Sequence, residues 1–462
     1  MMSLTPKENN LALSKFESML KTNSVYFFDS LEFEQIIHYY IDSGKNTLAK
    51  KAVKLALKQH PNSVILKLLQ AELLIFDDRL NEAVVLLNEL QAIEPTNEEV
   101  YVQQASIYSK KDDHANAIKS LKIALVHTDD EADVLAMIGM EYLYLDNFDE
   151  ARLNFAKCLD VDFEDYSSLY NVIYCFDMES KHKEAIEYLN NYINKDPYCE
   201  VAWHQLGRQN FILENYTEAI RAFDYAILID EFFVGAYLEK AKSLEQINKF
   251  EEAIENYKAT LELDDPTAFV FLRIGHCYES MNKIALAIEN YKKAVHEDPL
   301  LDKGWLSITK LYLENNQYNK ALFYINKAIE IDDKNCNFWR KYAEINLKLN
   351  FFKEAVKAFQ NCILLQDLDI AIWAGLSDVL CYLGEYSNAL KNLEKAKYYF
   401  NDFAEIEYRL GCVYFELNDF KNGEFHLRNA LTIDFEYHCI ISELFPNLFK
   451  KEIVQDILKD FK

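Results

Sequence analysis

The chain has 462 residues, 50% of them hydrophobic and 27% charged, with only 10 glycines, 7 prolines and a formal net charge of −26. That length exceeds what one hydrophobic core normally fills, and the scarcity of Gly and Pro excludes β-sandwiches, collagen-like stretches and flexible linkers in favour of helices. So acidic a balance argues against nucleic acid and against anionic membrane surfaces as partners, because both are held through Lys and Arg.

The amino terminus, MMSLTPKENNLALSKF, lacks an unbroken apolar stretch, so no secretory leader is expected. Residues 11–21 carry Leu13, Phe16 and Leu20 at helical spacing, and residues 1–29 are read as an N-terminal cap or arm. Residues 1–60 hold eight lysines against six acids, so the acidity lies elsewhere. Lys50, Lys51, Lys54 and Lys58 fall close together there. They read either as a solvated helix face or as a docking patch for an acidic partner.

From residue 30 onward the chain keeps a clock. Eleven alanines, from Ala49 and Ala83 through Ala355 and Ala389, fall 34 residues apart without a slip, and Gly423 continues the series. Small residues recur twelve positions earlier, as at Ala71, Gly139, Gly207, Gly275 and Gly411. Aromatics recur three positions before the alanine, as at Phe148, Tyr216 and Phe250. Short polar stretches divide each period in two, such as Glu214-Asn215 within a period and Lys195-Asp196-Pro197 at its end. Pro61, Pro95, Pro197 and Pro299 share one phase, and Pro266 falls one residue late. This is helix–turn–helix–turn, with small residues where two helices approach closely and proline where one helix stops and the next begins.

The pattern resembles the tetratricopeptide repeat. The fullest match is 268–301, through Phe271, Ile274, Gly275, Tyr278, Ala287, Tyr291, Ala294 and Pro299. Residues 200–233 match through Trp203, Leu206, Gly207, Ala219, Phe223 and Ala226, and Trp305, Trp339 and Trp373 take the tryptophan position in later repeats. Ile37 and Ile173 replace the small residue and are expected to widen the packing there. The fold class expected is all-α, a right-handed α-solenoid of about twelve 34-residue units plus capping helices. The units start at 30, 64, 98, 132, 166, 200, 234, 268, 302, 336, 370 and 404 and cover 30–437. Residues 438–462 are expected to form a C-terminal capping helix, with Leu444, Phe445, Leu448 and Phe449 on one face, continued by Ile453 and Ile457.

Nine scattered cysteines form no C-x-x-C pair, and no uncharged apolar run is long enough to span a bilayer, so a reducing cytoplasmic setting is expected. No nucleophile elbow, phosphate loop, dinucleotide fingerprint or H-E-x-x-H occurs, so no enzyme, no catalytic residues, no cofactor and no metal site are expected. Cys158 and Cys362 fall at a small-residue position and read as packing.

The resemblance implies that the first helix of each unit lines a concave groove, at unit positions 2, 5, 9, 12 and 13. In the second unit these are Ile65, Leu68, Glu72, Ile75 and Phe76. Further along come Met140 and Tyr144, then Tyr170, Tyr174 and Met178, then His204, Arg208, Phe211 and Ile212, and later Lys242, His276, Lys303, Lys310 and Arg340. The expected partner-binding residues are Tyr144, Tyr170, Tyr174, His204, Arg208, Phe211, Lys242 and His276. Arg208, Lys242 and His276 would meet an acidic segment or a terminal carboxylate, although many of the aromatics would equally pack between neighbouring first helices. The family's clamp for chaperone tails needs Lys and Asn at positions 5 and 9, which His204/Arg208 and Arg340/Glu344 do not supply.

The leading expectation is therefore a non-catalytic scaffold or adaptor that takes a peptide segment or protein partner in the groove. One alternative is a regulatory or sensor subunit whose superhelix responds to a bound peptide or ligand. Another is a self-associating structural protein, a homo-oligomer in which residues 11–21 of the same or a second copy lie on Ile65, Leu68, Ile75 and Phe76.

Overall fold

The computed structural model describes residues 6–22, 26–265, 267–400 and 402–461, and these contain helices and no strand. Pro266 and the ends of the amino-terminal arm, residues 1–5 and 23–25, lie outside them. The chain divides into two compact halves, Met1–Glu231 and Phe232–Lys462. The first contains the helix Pro6–Thr22 and six helix pairs, from Ser30–Asp42 with Asn46–Gln59 to Glu200–Ile212 with Tyr216–Ile229. The second contains six pairs, from Val234–Gln246 with Phe250–Leu263 to Ala404–Glu416 with Phe420–Ile433, followed by short helices.

Each pair is made by one turn. The fifteenth residue of every repeat has positive φ: Gly44, Asp78, Asp112, Asp146, Ser180 and Glu214 in the first half, and Asn248, Asn282, Asn316, Asn350, Gly384 and Asn418 in the second. The turn ends the first helix by left-handed capping, in which the next amide reaches back five residues, as Arg79 N does to the Leu74 carbonyl at 2.9 Å and Asn215 N to the Asn210 carbonyl at 2.9 Å. Gly, Asn and Asp tolerate this conformation, whereas a longer side chain is strained there.

The pairs are held by size complementarity. All eleven alanines of the clock are fully buried. Where the first helix has glycine, an aromatic of the second helix fills the space a methyl would take. A Cβ on Gly139 would lie 2.7 Å from the Phe155 ring, and one on Gly207 would lie 2.5 Å from Phe223. At Ile173 the packing widens as expected, since the helices Tyr166–Met178 and His182–Lys195 approach each other less closely than the pairs that carry glycine at that position. The residues sixteen beyond Ile37 and Ile173 are Val53 and Leu189, which share their cores, so a large-on-small contact is exchanged for one of two medium side chains.

Successive repeats are tied by an aromatic that reaches back over the boundary. Trp203 Nε1 donates to the Pro197 carbonyl at 3.0 Å, Trp305 to Pro299 at 2.9 Å and Trp339 to Asp333 at 2.7 Å. Trp373 is also buried, but its Nε1 finds no acceptor among the described residues. Six residues before it, the carboxylate of Asp367 is taken by Arg340.

The two ends are closed by different means. Phe16 is fully buried against Phe28, Phe33 and Tyr40, with ring centroids at 6.0, 6.2 and 6.1 Å, so the first helix caps the first repeat. It does not lie on the face of the second repeat, where Ile65 and Phe76 stay exposed while Leu68 and Ile75 are buried in the core. The carboxy-terminal segment is not one helix. Pro446 lacks an amide hydrogen and disfavours helical backbone at Phe445, whose φ is −130°, so Cys439–Leu444, Pro446–Phe449 and Glu452–Lys459 form separately. Phe445, Leu448, Val454, Ile457 and Leu458 bury against the last repeats, while Leu444 and Ile453 remain exposed.

Two outcomes follow for stability. Glu214→Gly removes a side chain from the left-handed position and is expected to raise unfolding stability by about 1 kcal/mol in urea titration, although glycine inside a helix would lower it. Trp305→Phe should cost about 1 kcal/mol through its lost hydrogen bond, whereas Trp373→Phe removes a buried donor that has no acceptor and should be neutral or stabilising. Parallel thermal melts compare the two.

Candidate functional site

In the first half, the first helices Glu131–Tyr144, Tyr166–Met178 and Glu200–Ile212 pack their small residues inward, which turns positions 5, 9 and 13 toward solvent. Tyr144 is 58% exposed, Tyr170 41%, Tyr174 48% and Met178 51%, with Met140 and Ile212 beside them in sequence register. Tyr144 is not loose, because its ring stacks on His114 with centroids 5.0 Å apart, and His114 Nδ1 lies 2.8 Å from the Glu141 carboxylate. The Asp177 carboxylate accepts from Gln209 Nε2 at 2.8 Å, which ties the second and third of these helices together beneath the exposed rings.

The remaining expected residues of this half separate. Arg208 is half-buried, donates to Gln205 Oε1 at 3.1 Å and has no carboxylate partner among the described residues. His204 and Phe211 turn toward the packing. His204 lies against Phe223 at 5.7 Å, and Phe211 sits edge-on to Tyr216 at 5.5 Å. Phe211 holds position 12, beside the packing face, whereas His204 shares position 5 with the exposed Tyr170, so unit position alone does not separate those two.

Lys242 and His276 belong to the second half, and both are engaged there. Lys242 pairs with Glu239 at 2.8 Å and lies 5.5 Å over the Phe269 ring. His276 Nδ1 is 2.9 Å from the Tyr291 hydroxyl, and burial holds its pKa below the usual histidine range despite the nearby Glu279 carboxylate. Lys310 reaches Glu279 at 2.8 Å, and Arg340 is clamped by Asp367 and by Asp369. Lys242, Lys310 and Arg340, which promise anion binding in sequence, are therefore each neutralised by a carboxylate, on the same helix or one repeat away.

The strongest electrostatic feature is internal. Glu407 is 2% exposed and lies 2.6 Å from both Lys397 Nζ and His426 Nδ1. Burial alone would raise its pKa, but the hydrogen bonds from His426 and Lys397 outweigh it and hold the carboxyl at about 2. Arg409, also buried, donates twice to Asp378, each at 2.8 Å, and contacts the Tyr437 hydroxyl. The ion pairs join the last two repeats, and the Arg409–Tyr437 contact reaches the start of the carboxy-terminal segment. Burial pushes the Cys175 and Cys199 thiols each up to about 11, away from the reactive thiolate. Among the described residues, no group of three or more His, Cys, Asp or Glu is placed to hold a metal, and no helix is long and apolar enough to cross a membrane.

A pH dependence follows. The folded pKa of Glu407 lies below its unfolded value, so its contribution is fully present above about pH 4.5 and is lost as the pH falls toward 2. Glu407→Gln should therefore cost about 3 kcal/mol at neutral pH and close to nothing near pH 2, read as the difference between wild-type and variant unfolding curves across that range.

Comparison with known proteins agrees with this architecture. The family model described as "Psidin, N-terminal TPR repeats region" matches residues 35–157, and the one described as "Tetratricopeptide repeat" matches 234–266, 270–299, 303–335 and 404–437. No curated protein sequence matches the chain. Among solved structures, the C-terminal part of a TPR repeat-containing protein from Cytophaga hutchinsonii is 16% identical over 51% of this chain and 97% of that one, with a TM-score of 0.42. The Cut9–Hcn1 hetero-tetramer of the APC/C is 14% identical over 98% and 94%, with a TM-score of 0.32. YrrB, described as a TPR protein with an unusual peptide-binding site, is 13% identical over 39% and 93%, with a TM-score of 0.33. At these identities the likeness is one of fold alone.

Proposed function

We propose, from the premise that this chain belongs to the tetratricopeptide-repeat family, that it is a non-catalytic protein-interaction scaffold that takes a peptide segment of a protein partner on the first-helix face of its first half. The observation that carries this reading is the exposed series Tyr144, Tyr170, Tyr174 and Met178, with Arg208 close by in register and free of any carboxylate partner among the described residues. Large rings left in water on rigid helices bind at little entropic cost, and Tyr and Arg are favoured anchors of interfaces. An Arg without a carboxylate partner makes a charge-assisted bond to an incoming acidic group without first breaking one. Lys242 and His276 are left out of the proposed face, since the first is already paired and the second is held neutral.

Replacing Tyr170 and Tyr174 by alanine tests the reading. Both rings are exposed, so the helical circular dichroism should be unchanged. A photo-crosslinker at Met178 should trap a partner peptide in the wild type, and the double variant should lower its capture by about thirtyfold, the loss of roughly 2 kcal/mol at a hot spot. Equal capture by both proteins would exclude this face.

A further inference from the structure

A second site lies away from that face. The helices Asn46–Gln59 and Val64–Phe76 diverge around an open pocket of about 470 Å³ with a floor formed by Val53, Leu57, Leu73 and Leu74. Its rim is basic, with Lys50, Lys54 and Lys58 along the first helix and Arg79 just beyond the second. Two of these cations are committed. Lys50 lies 2.6 Å from Asp77, and Arg79 holds Glu82 in an exposed pair at 2.6 Å. Lys54 and Lys58 are exposed and have no carboxylate partner among the described residues.

The setting makes this unusual. The chain as a whole carries −26, yet residues 1–60 hold more lysines than acids, and the surplus lines an apolar pocket. Two unpaired ammonium groups beside unfilled apolar surface match a ligand that supplies both missing components. We propose that this pocket binds an acidic, amphipathic segment of a partner protein, with bulky apolar side chains on the floor and carboxylates along the lysine row.

Geometry favours a peptide over a smaller or flatter ligand. Lys54 and Lys58 lie one turn apart on the helix Asn46–Gln59, about 6 Å apart along its axis at 1.5 Å per residue, beside the apolar floor. A small anion meets only the lysines, whereas a chain with carboxylates on either side of bulky apolar residues meets both the lysines and the apolar floor. An anionic bilayer would meet the same lysines but also the field of a strongly acidic protein, which opposes its approach. The site is independent of the tyrosine face described above, and either reading can fail without the other.

The test is a fluorescence-anisotropy titration of the full chain with a labelled synthetic peptide in which Leu recurs between Glu residues. The wild type should bind it, and Lys54→Glu with Lys58→Glu should weaken binding by about tenfold or more, with affinity falling as salt rises. Leu74→Ser, a half-buried floor position, should weaken it about threefold with unchanged circular dichroism, and Tyr170→Ala with Tyr174→Ala should leave it unaltered. Equal binding by the lysine double variant overturns the proposal. So does equal binding of a control peptide with Ser for every Leu, which would reduce the site to charge alone. Displacement of the peptide by phosphatidylserine vesicles would assign the pocket to membranes. Light scattering that shows a wild-type dimer, lost in the double variant, would assign it to a second copy. Either result overturns the peptide reading.

Discussion

Everything in this protein depends on two helices approaching closely enough to bury a helix face that would otherwise be wet. An isolated helix of thirteen or fourteen residues is marginal in water, so each one here persists only because its neighbours cover it. Coverage needs small residues where backbones meet and large ones in the gaps between. The fully buried alanine of each second helix supplies the first requirement, and the Phe155 and Phe223 rings over Gly139 and Gly207 supply the second. A left-handed residue at each turn brings the helices into this register, and it is conformationally so demanding that Gly, Asn or Asp occupies ten of the twelve turns.

That constraint explains where function can reside. Positions that serve the pairing are unavailable for binding, and what remains is a set of exposed positions repeated with the same period. On such a scaffold a binding surface arises by changing side chains that packing does not need, at almost no cost to the fold. The tyrosines at 144, 170 and 174 and the lysines at 54 and 58 are of this kind. Exposed ion pairs on the same surface contribute little to stability. Their effect is to cancel charge, and they decide which cations stay available to a partner.

Buried charge is used differently. Glu407 with Lys397, and Arg409 with Asp378, join the last two repeats, and His426 meets Glu407 from within the last one. A repeat array has no natural end, and its last apolar face must be closed. Here apolar residues from a proline-broken segment do the covering. Breaking a buried pair is expensive because it strands the remaining charge, so the ion pairs fix how the last two repeats sit on each other.

Much of this was legible in the sequence, because a repeat states the same physical requirement many times over. One Ala–aromatic spacing is weak, but Ala49 through Ala389 in unbroken phase leaves only a paired-helix array as an explanation. The left-handed turn was equally present, as Gly, Asp or Asn at one phase, and was hidden only by Ser180 and Glu214. What the sequence could not decide were contacts between residues of different repeats. Lys242, Lys310 and Arg340 look alike as free bases, yet each finds a carboxylate, on its own helix or one repeat away. His204 and Arg208 are one turn apart on one helix, yet one ring lies against Phe223 while the guanidinium lacks a carboxylate partner among the described residues. Periodicity determined which residues face which way, since that depends on the backbone alone. Pairing, rotamer and local burial were settled only when the chain folded, because they depend on side chains that meet across the repeats.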